Sequence, residues 1–350
     1  MKLGWLMASK QGRLWIVFFV LALYALAQYL QESVPDSYSA DTVLLPRFKS
    51  EPATRQEPIT PIPLELELDT RKVALGDRLF HDPRFSSDNS ISCAHCHNLA
   101  NGGMDNLPRS IGVGDKEGRV NAPTVFNSGF NANQFWDGHA ETLEDQIDFP
   151  MQNTCEMGST WPEVIEKLEQ DVAYQRDFAA IYPEGIQQHT VRNAIATFER
   201  SLITPNSRFD RYLRGDMHAL SGDELVGYEL FKNFGCISCH QGMNVGGNMY
   251  EKLGLFRDYF ADRGNVQEID YGRYNVTGNE EHRHEFRVPP LRNVSVTAPY
   301  FHDGSAETLE EAVAVMGKYQ LGVTLSNDEV SSIVKFLKTL TGVYQPRAEQ

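Results

Sequence analysis

Two five-residue runs, Cys93-Ala-His-Cys96-His97 and Cys236-Ile-Ser-Cys239-His240, carry the most specific chemistry in the chain. Each sets two thiols three positions apart with an imidazole directly behind them. That is the spacing at which thiols bond covalently to the vinyl groups of a haem while the histidine becomes an axial ligand of its iron. Zinc fits less well, because zinc sites combine Cys-x-x-Cys pairs without an adjoining histidine in each. Four cysteines are also too few to staple a 350-residue chain with disulfides. The sequence therefore predicts two covalent haem c groups, attached through Cys93, Cys96, Cys236 and Cys239, with His97 and His240 on the irons. What occupies the opposite face of each iron separates an electron carrier from an enzyme.

The elements that position these runs repeat. Pro123-Thr-Val-Phe-Asn127 is followed by Phe135-Trp136-Asp137-Gly138-His139-Ala140-Glu141-Thr142-Leu143-Glu144. Pro289-Pro-Leu-Arg-Asn293 is followed by Phe301-His302-Asp303-Gly304-Ser305-Ala306-Glu307-Thr308-Leu309-Glu310, at a constant offset of 166 residues. A haem motif with the same block downstream, present twice, predicts tandem domains. Their inner lengths differ: His97 precedes Asp137 by 40 residues and His240 precedes Asp303 by 63, which places a 23-residue insertion within 241–287. Rich in glycine, asparagine and charge, that region reads as a long surface loop.

Helical signals dominate. Thr142 to Met151 and Thr308 to Tyr319 each follow an Asp-Gly turn, with Glu141 and Glu307 where a helix N-terminus favours negative charge. Ser326-Asn-Asp-Glu329 forms a capping box, and Val330, Ile333, Val334, Leu337 and Leu340 make an apolar stripe behind it. Stretches 163–168 and 189–202 carry the same period, and only Leu64 to Leu68 alternates like a strand. The predicted fold is mainly α: two tandem cytochrome c-like haem domains at 64–215 and 216–345, preceded by an N-terminal hydrophobic signal or anchor helix at 1–30 and a proline-rich linker at 31–63. Lys2, Lys10 and Arg13 precede the apolar run Leu14 to Leu30, as in an export signal, and Ala25-Leu26-Ala27 resembles a cleavage site. The 17-residue run also reaches the lower length for a membrane span, and the polar linker behind it suits a tether. Either reading places the haems in the periplasm, free or held at the inner membrane. A net charge of −15 disfavours nucleic acid or anionic lipid as partners and suits a donor protein with a basic face.

The duplication allows the two sixth positions to be compared. The second unit offers Met316, a soft thioether that stabilises ferrous iron and raises its potential. At the same offset the first unit has Pro150, which has no donor atom in its side chain. A one-residue slip would bring Met151 there instead. The two haems are therefore expected to differ, the second storing electrons and the first keeping an open or weakly occupied face.

Several ordered motifs sharpen this reading: Gly102-Gly-Met-Asp-Asn-Leu107, Asn121-Ala-Pro-Thr-Val-Phe-Asn127, Phe135-Trp-Asp-Gly138, Glu156-Met-Gly158, Leu291-Arg-Asn-Val294 and Ala298-Pro-Tyr-Phe-His-Asp-Gly304. Over roughly 64–342 the chain resembles the bacterial di-haem cytochrome c peroxidases. The resemblance implies hydrogen peroxide as substrate and a small cytochrome c or cupredoxin as electron donor. It makes His97 the proximal ligand of a low-potential peroxidatic haem, and His240 with Met316 the ligands of a high-potential electron-transfer haem. Trp136 matches the tryptophan between the haems, and Gln146 and Glu156 match the distal pair beside the peroxide. Asn121, with the backbone carbonyls of Thr297 and Pro299, matches a calcium site between the domains; oxygen donors suit that hard ion.

One departure matters. Many members cap the first haem with a displaceable histidine in a Ser-Ile-Gly-His-Gly stretch, but here it reads Ser110-Ile-Gly-Val113-Gly114. Valine cannot ligate iron, so the first haem is expected to be five-coordinate or water-bound even when fully oxidised. Cys155, beside Glu156, is the one thiol the haem motifs leave over. Two alternatives remain at this stage: an oxidase of a partner protein, as in the similar methylamine-utilisation di-haem enzymes, and a plain di-haem carrier. The tyrosine that replaces Met316 in the former, and the open site absent from the latter, discriminate them. No motif decides whether the chain forms a homodimer.

Overall fold

The structure, a computed structural model, describes residues 48–49 and 56–345, so the apolar segment at 1–30 and the first part of the expected linker lie outside the described residues. Among the described residues no helix is long and apolar enough to cross a membrane. The body is mainly helical, with only two-residue and three-residue strands in two small antiparallel sheets.

Two hydrophobic cores carry it. In the first, Asp69 accepts a hydrogen bond from the Arg71 N–H and opens the Thr70–Phe80 helix, which lays Leu75, Leu79 and Phe80 against Val191, Ala194, Ile195 and Phe198 of the Gln188–Ser201 helix. In the second, capping boxes at Ser221 and Ser326 open the Gly222–Asn233 and Asn327–Lys338 helices, whose Tyr228, Phe231, Ile333, Val334 and Phe336 form the equivalent interface. Each pair crosses at a glycine that allows backbone contact. A Cβ on Gly76 would lie 2.0 Å from the Ala194 carbonyl oxygen, and one on Gly227 would lie 1.9 Å from that of Ser332. Backbone cannot yield as a flexible side chain can, so Gly227→Ala is expected to destabilise the fold by about 1–3 kcal/mol or more. A thermal midpoint unchanged in far-UV circular dichroism would contradict this.

The repeat is built into the backbone. Asn127 and Asn293, 166 residues apart, are both left-handed at φ 61°, as are Phe135 and Phe301 at φ 68° and 69°. Matching bridges join Gln134 to Ala140 and Tyr300 to Ala306. The two asparagines meet: the side-chain nitrogens of Asn127 and Asn293 donate to the Thr204 hydroxyl at 2.9 and 3.0 Å, and the Thr204 N–H donates to the Asn127 side chain at 2.9 Å. A buried network with its groups paired fixes one arrangement of the two halves.

Four sequence expectations need adjustment. The end of the expected linker is packed: Ile59 and Ile62 are 1% and 0% exposed, and Ile59 belongs to the second core. There Pro58 and Thr60 exchange backbone hydrogen bonds with Gly242, and the Thr60 carbonyl accepts from Arg292. Pro58, Pro61 and Pro63 and the lack of periodicity concealed a segment held by two isoleucines. The 241–287 region is a structured lobe, with strands Tyr250–Lys252 and Glu285–Arg287 paired around a small core of Tyr259, Phe260, Phe286 and Tyr319. The helix expected from Thr142 divides into Leu143–Gln146 and Asp148–Gln152, and the one from Thr308 ends at Val315 in a π turn, Met316–Gln320. Lastly, the Arg208–Leu213 helix, before the expected boundary at 215, packs in the second core.

Candidate haem centres

Each Cys-x-x-Cys-His run folds into one tight turn that turns its histidine inward. The Cys93–Cys96 helix ends as the His97 N–H donates to the Cys93 carbonyl at 3.0 Å, and the Cys236–Ser238 turn repeats this, His240 to Cys236, at 3.0 Å. The His97 Nδ1 lies 3.4 Å from the Gly103 carbonyl, and that of His240 3.3 Å from the Val245 carbonyl. A carbonyl can only accept, so each ring carries its proton on Nδ1 and keeps Nε2 free as a metal ligand. Burial lowers both imidazole pKa values, that of His240 to about 4, which holds the neutral form that ligation needs. Burial also raises the Cys96 and Cys236 thiols to about 11.

These turns open onto two cavities. The first, about 500 Å³, is lined by Cys93, Cys96 and His97, and also by Trp136, Gln146 and Glu156. The second, about 230 Å³, is lined by Cys236, Cys239 and His240 with Met316. Donor chemistry fits a haem in each: two thiols for the vinyls, a neutral imidazole for the iron and largely apolar walls. Asn121, Trp136, Phe286 and His302 line both cavities. Trp136 is held there by its indole N–H, which donates to the Asn121 carbonyl at 2.9 Å, and its ring meets His302 edge-on at 6.4 Å.

The distal expectations fall in the first cavity. The Glu156 carboxylate accepts from the Asn153 amide at 2.7 Å, and burial raises its pKa above the usual carboxyl range. Val113 packs in the first core and its N–H donates to the Glu156 carbonyl at 2.8 Å, so the loop's contribution to the cavity wall comes from Ser110 and Gly112. Pro150 and Met151 both line this cavity, and Met151 also packs in the first core. Asn121, Thr297 and Pro299 line the second cavity together. The Asn121 amide nitrogen donates to the Leu107 carbonyl at 2.9 Å, which leaves its side-chain oxygen for a cation.

Sequence reasoning missed Glu199. Only 5% exposed, it lines the first cavity, and both its oxygens accept from the Gln146 side-chain nitrogen, at 3.0 and 3.1 Å. The Gln146 side-chain nitrogen is thus committed to Glu199. The signal was present: Glu199 follows Ile195 by four positions, on the buried face of its helix. Burial pushes its carboxyl up to about 8, from 4.5. Between those values the folded state keeps a proton the unfolded state has lost, so stability falls as pH rises through the window. Glu199→Gln is expected to remove that slope in a thermal midpoint measured against pH. Glu199→Ala, which frees Gln146, is expected to lower peroxide kcat/KM by about 10-fold or more. A flat profile in the unmodified protein and unchanged kinetics would contradict these roles. The nearby Asp270, His302 and Asp303 form a cluster that the Arg263 guanidinium bridges, so it is an ion-paired support and not an open metal site.

Two cavities, each with two thiols and a buried imidazole and sharing one tryptophan wall, define a two-haem oxidoreductase with unequal sites. The chain belongs to the di-haem cytochrome c peroxidase family and is a di-haem peroxidase, with two haem groups. The family's sequence profile matches residues 70–218. Cytochrome c peroxidase Ccp of Escherichia coli is 50% identical over 296 residues, which are 84% of this chain and 63% of that longer relative. Cytochrome c551 peroxidase of Nitrosomonas europaea is 47% identical over 288 residues, 82% of this chain and 84% of its own. A solved MauG-like protein associated with microbial copper homeostasis superposes with a TM-score of 0.70 at 28% identity, covering 84% of this chain and 96% of its own.

Proposed function

We propose that the chain reduces hydrogen peroxide to two waters, with electrons that arrive singly from a small cytochrome c or cupredoxin on the His240 and Met316 side and pass to the His97 side. The observation that carries this reading is the inequality of the two cavities: Met316 stands where Pro150 stands in the first, and the first is larger and carries Gln146 and Glu156. Covalently bound haem c groups supply the iron that binds and reduces peroxide at one site and holds the incoming electrons at the other.

The chain's own residues do the rest. His97 and His240, oriented by the Gly103 and Val245 carbonyls, give neutral imidazole to each iron. Glu156, once ionised, takes the proton from one peroxide oxygen and returns it to the other, so that this oxygen leaves as water when the O–O bond breaks. Gln146 accepts from the peroxide O–H through its amide oxygen. Two electrons and two protons from outside complete the balance. Trp136 spans the gap, with its indole against both cavities. Val113 gives the first iron no ligand, so peroxide enters without a protein group having to leave. A calcium ion on Asn121 and the Thr297 and Pro299 carbonyls would brace the wall behind Trp136, whose indole donates to the Asn121 carbonyl. We place the enzyme in the periplasm, where c-type haem is attached.

Steady-state peroxide consumption by the haem-loaded protein, driven by a reduced small cytochrome c or cupredoxin, tests the proposal. Two donor molecules oxidised per peroxide support it; donor oxidation without peroxide loss indicates a carrier, and oxidation of a partner protein's side chains indicates the methylamine-utilisation type.

A further inference from the structure

Arg287 closes the Glu285–Arg287 strand and is 4% exposed. Its Nε donates to the Phe135 carbonyl at 3.0 Å and its backbone N–H to the Trp136 carbonyl at 2.8 Å, so it grips the segment that separates the two cavities. Its Nη1 is buried and has no hydrogen-bond partner among the described residues. Arg292, the other deeply buried arginine, shows what is missing: its guanidinium faces the Asp210 carboxylate at 2.7 Å, with both side chains at or below 1% exposure. No carboxylate among the described residues faces Arg287, and burial alone pulls its pKa down to about 10. A buried cation without a counter-charge costs several kcal/mol, so this site is incomplete without an anion. Arg287 lines the second cavity beside Trp136 and Phe286, which names the side from which the anion comes.

We infer that Arg287 binds a propionate carboxylate of the haem carried by Cys236, Cys239 and His240, and that this pair ties the charge of that haem to the Phe135–Trp136 segment. The inference rests on the reading that the second cavity holds a haem. A cation here favours the ferrous state, which carries one positive charge fewer. Removing it, and leaving the propionate unpaired, both favour ferric iron.

The test is an optical redox titration of the haem-loaded full chain and its Arg287→Gln and Arg287→Lys variants, with haem counted by intact mass. Arg287→Gln is expected to shift the second haem at least tenfold toward the ferric form at fixed ambient potential, about 59 mV for a one-electron couple. Arg287→Lys, which keeps the charge, should recover most of that shift; a purely structural role would not distinguish the two variants. Two haems per chain with an unchanged midpoint in Arg287→Gln would overturn the assignment of Arg287 alone. A single haem in the unmodified protein would overturn the cavity reading and the arginine's role with it. Should the glutamine variant fail to fold, a crystal structure of the loaded unmodified protein decides: a propionate oxygen within hydrogen-bond distance of Nη1 supports the inference, and a water or chloride there overturns it.

Discussion

Glu156→Gln is expected to lower peroxide kcat by about 100- to 10,000-fold, the usual contribution of a positioned proton-transfer group. Glutamine keeps the size of the side chain and can still meet Asn153, but it cannot accept and return a proton. Entry of electrons should be untouched, because Glu156 lines the first cavity and not the second. Stopped-flow reduction of the second haem by the donor should therefore run at the unmodified rate while peroxide turnover collapses. Loss of both together would mean that the substitution had disturbed the fold and not the chemistry. The pH profile adds a second check. Burial holds the Glu156 carboxyl above its ordinary range, and the first step needs the ionised form. Turnover should thus fall as pH drops through a value above 4.5, and that acid limb should vanish in the variant.

Met316→His is expected to lower the potential of the second haem by on the order of 0.1 V or more, within the ~0.8 V that axial ligands span. Two imidazoles favour ferric iron more than an imidazole and a thioether do. The site would then hold no electron at donor potentials, and donor-driven turnover should fall even though Glu156, Gln146 and the first cavity are unaltered. Met316 opens the Met316–Gln320 π turn, an irregularity that re-aims side chains at functional sites. Potentiometry read at the second haem checks the shift. An unchanged midpoint would place Met316 among the core methionines.

Much of this site was legible in the chain because covalent haem attachment needs adjacent residues: both Cys-x-x-Cys-His turns could be read directly. The repeat of Asn127 at Asn293 and of Phe135 at Phe301 was equally plain from the constant offset of 166 residues, and each pair keeps the same left-handed backbone. Other features depend on contacts between residues far apart in the chain, 53 positions for Gln146 and Glu199 and 152 for Phe135 and Arg287. Arg287 reads as one charge in a loop until its neighbours Phe135 and Trp136 are known. Glu199 falls on the buried face of its helix by spacing from Ile195, but its partner Gln146 is known only from the fold. Ile59 and Ile62 are too few to show a period, yet Gly242 pairs with the backbone beside Ile59. The lobe at 241–287 has no strand or helix pattern long enough to detect, and its order comes from scattered aromatics, Tyr259, Phe260 and Phe286, that meet only in the fold.

The central claim is that the two irons are ligated differently, and the electron paramagnetic resonance spectrum of the as-isolated ferric protein tests it most directly. One low-spin signal from the His240 and Met316 site, beside a high-spin signal from the His97 site, is the predicted result. Two low-spin signals with no high-spin component would contradict it, and would make Met151 the first side chain to examine as a sixth ligand.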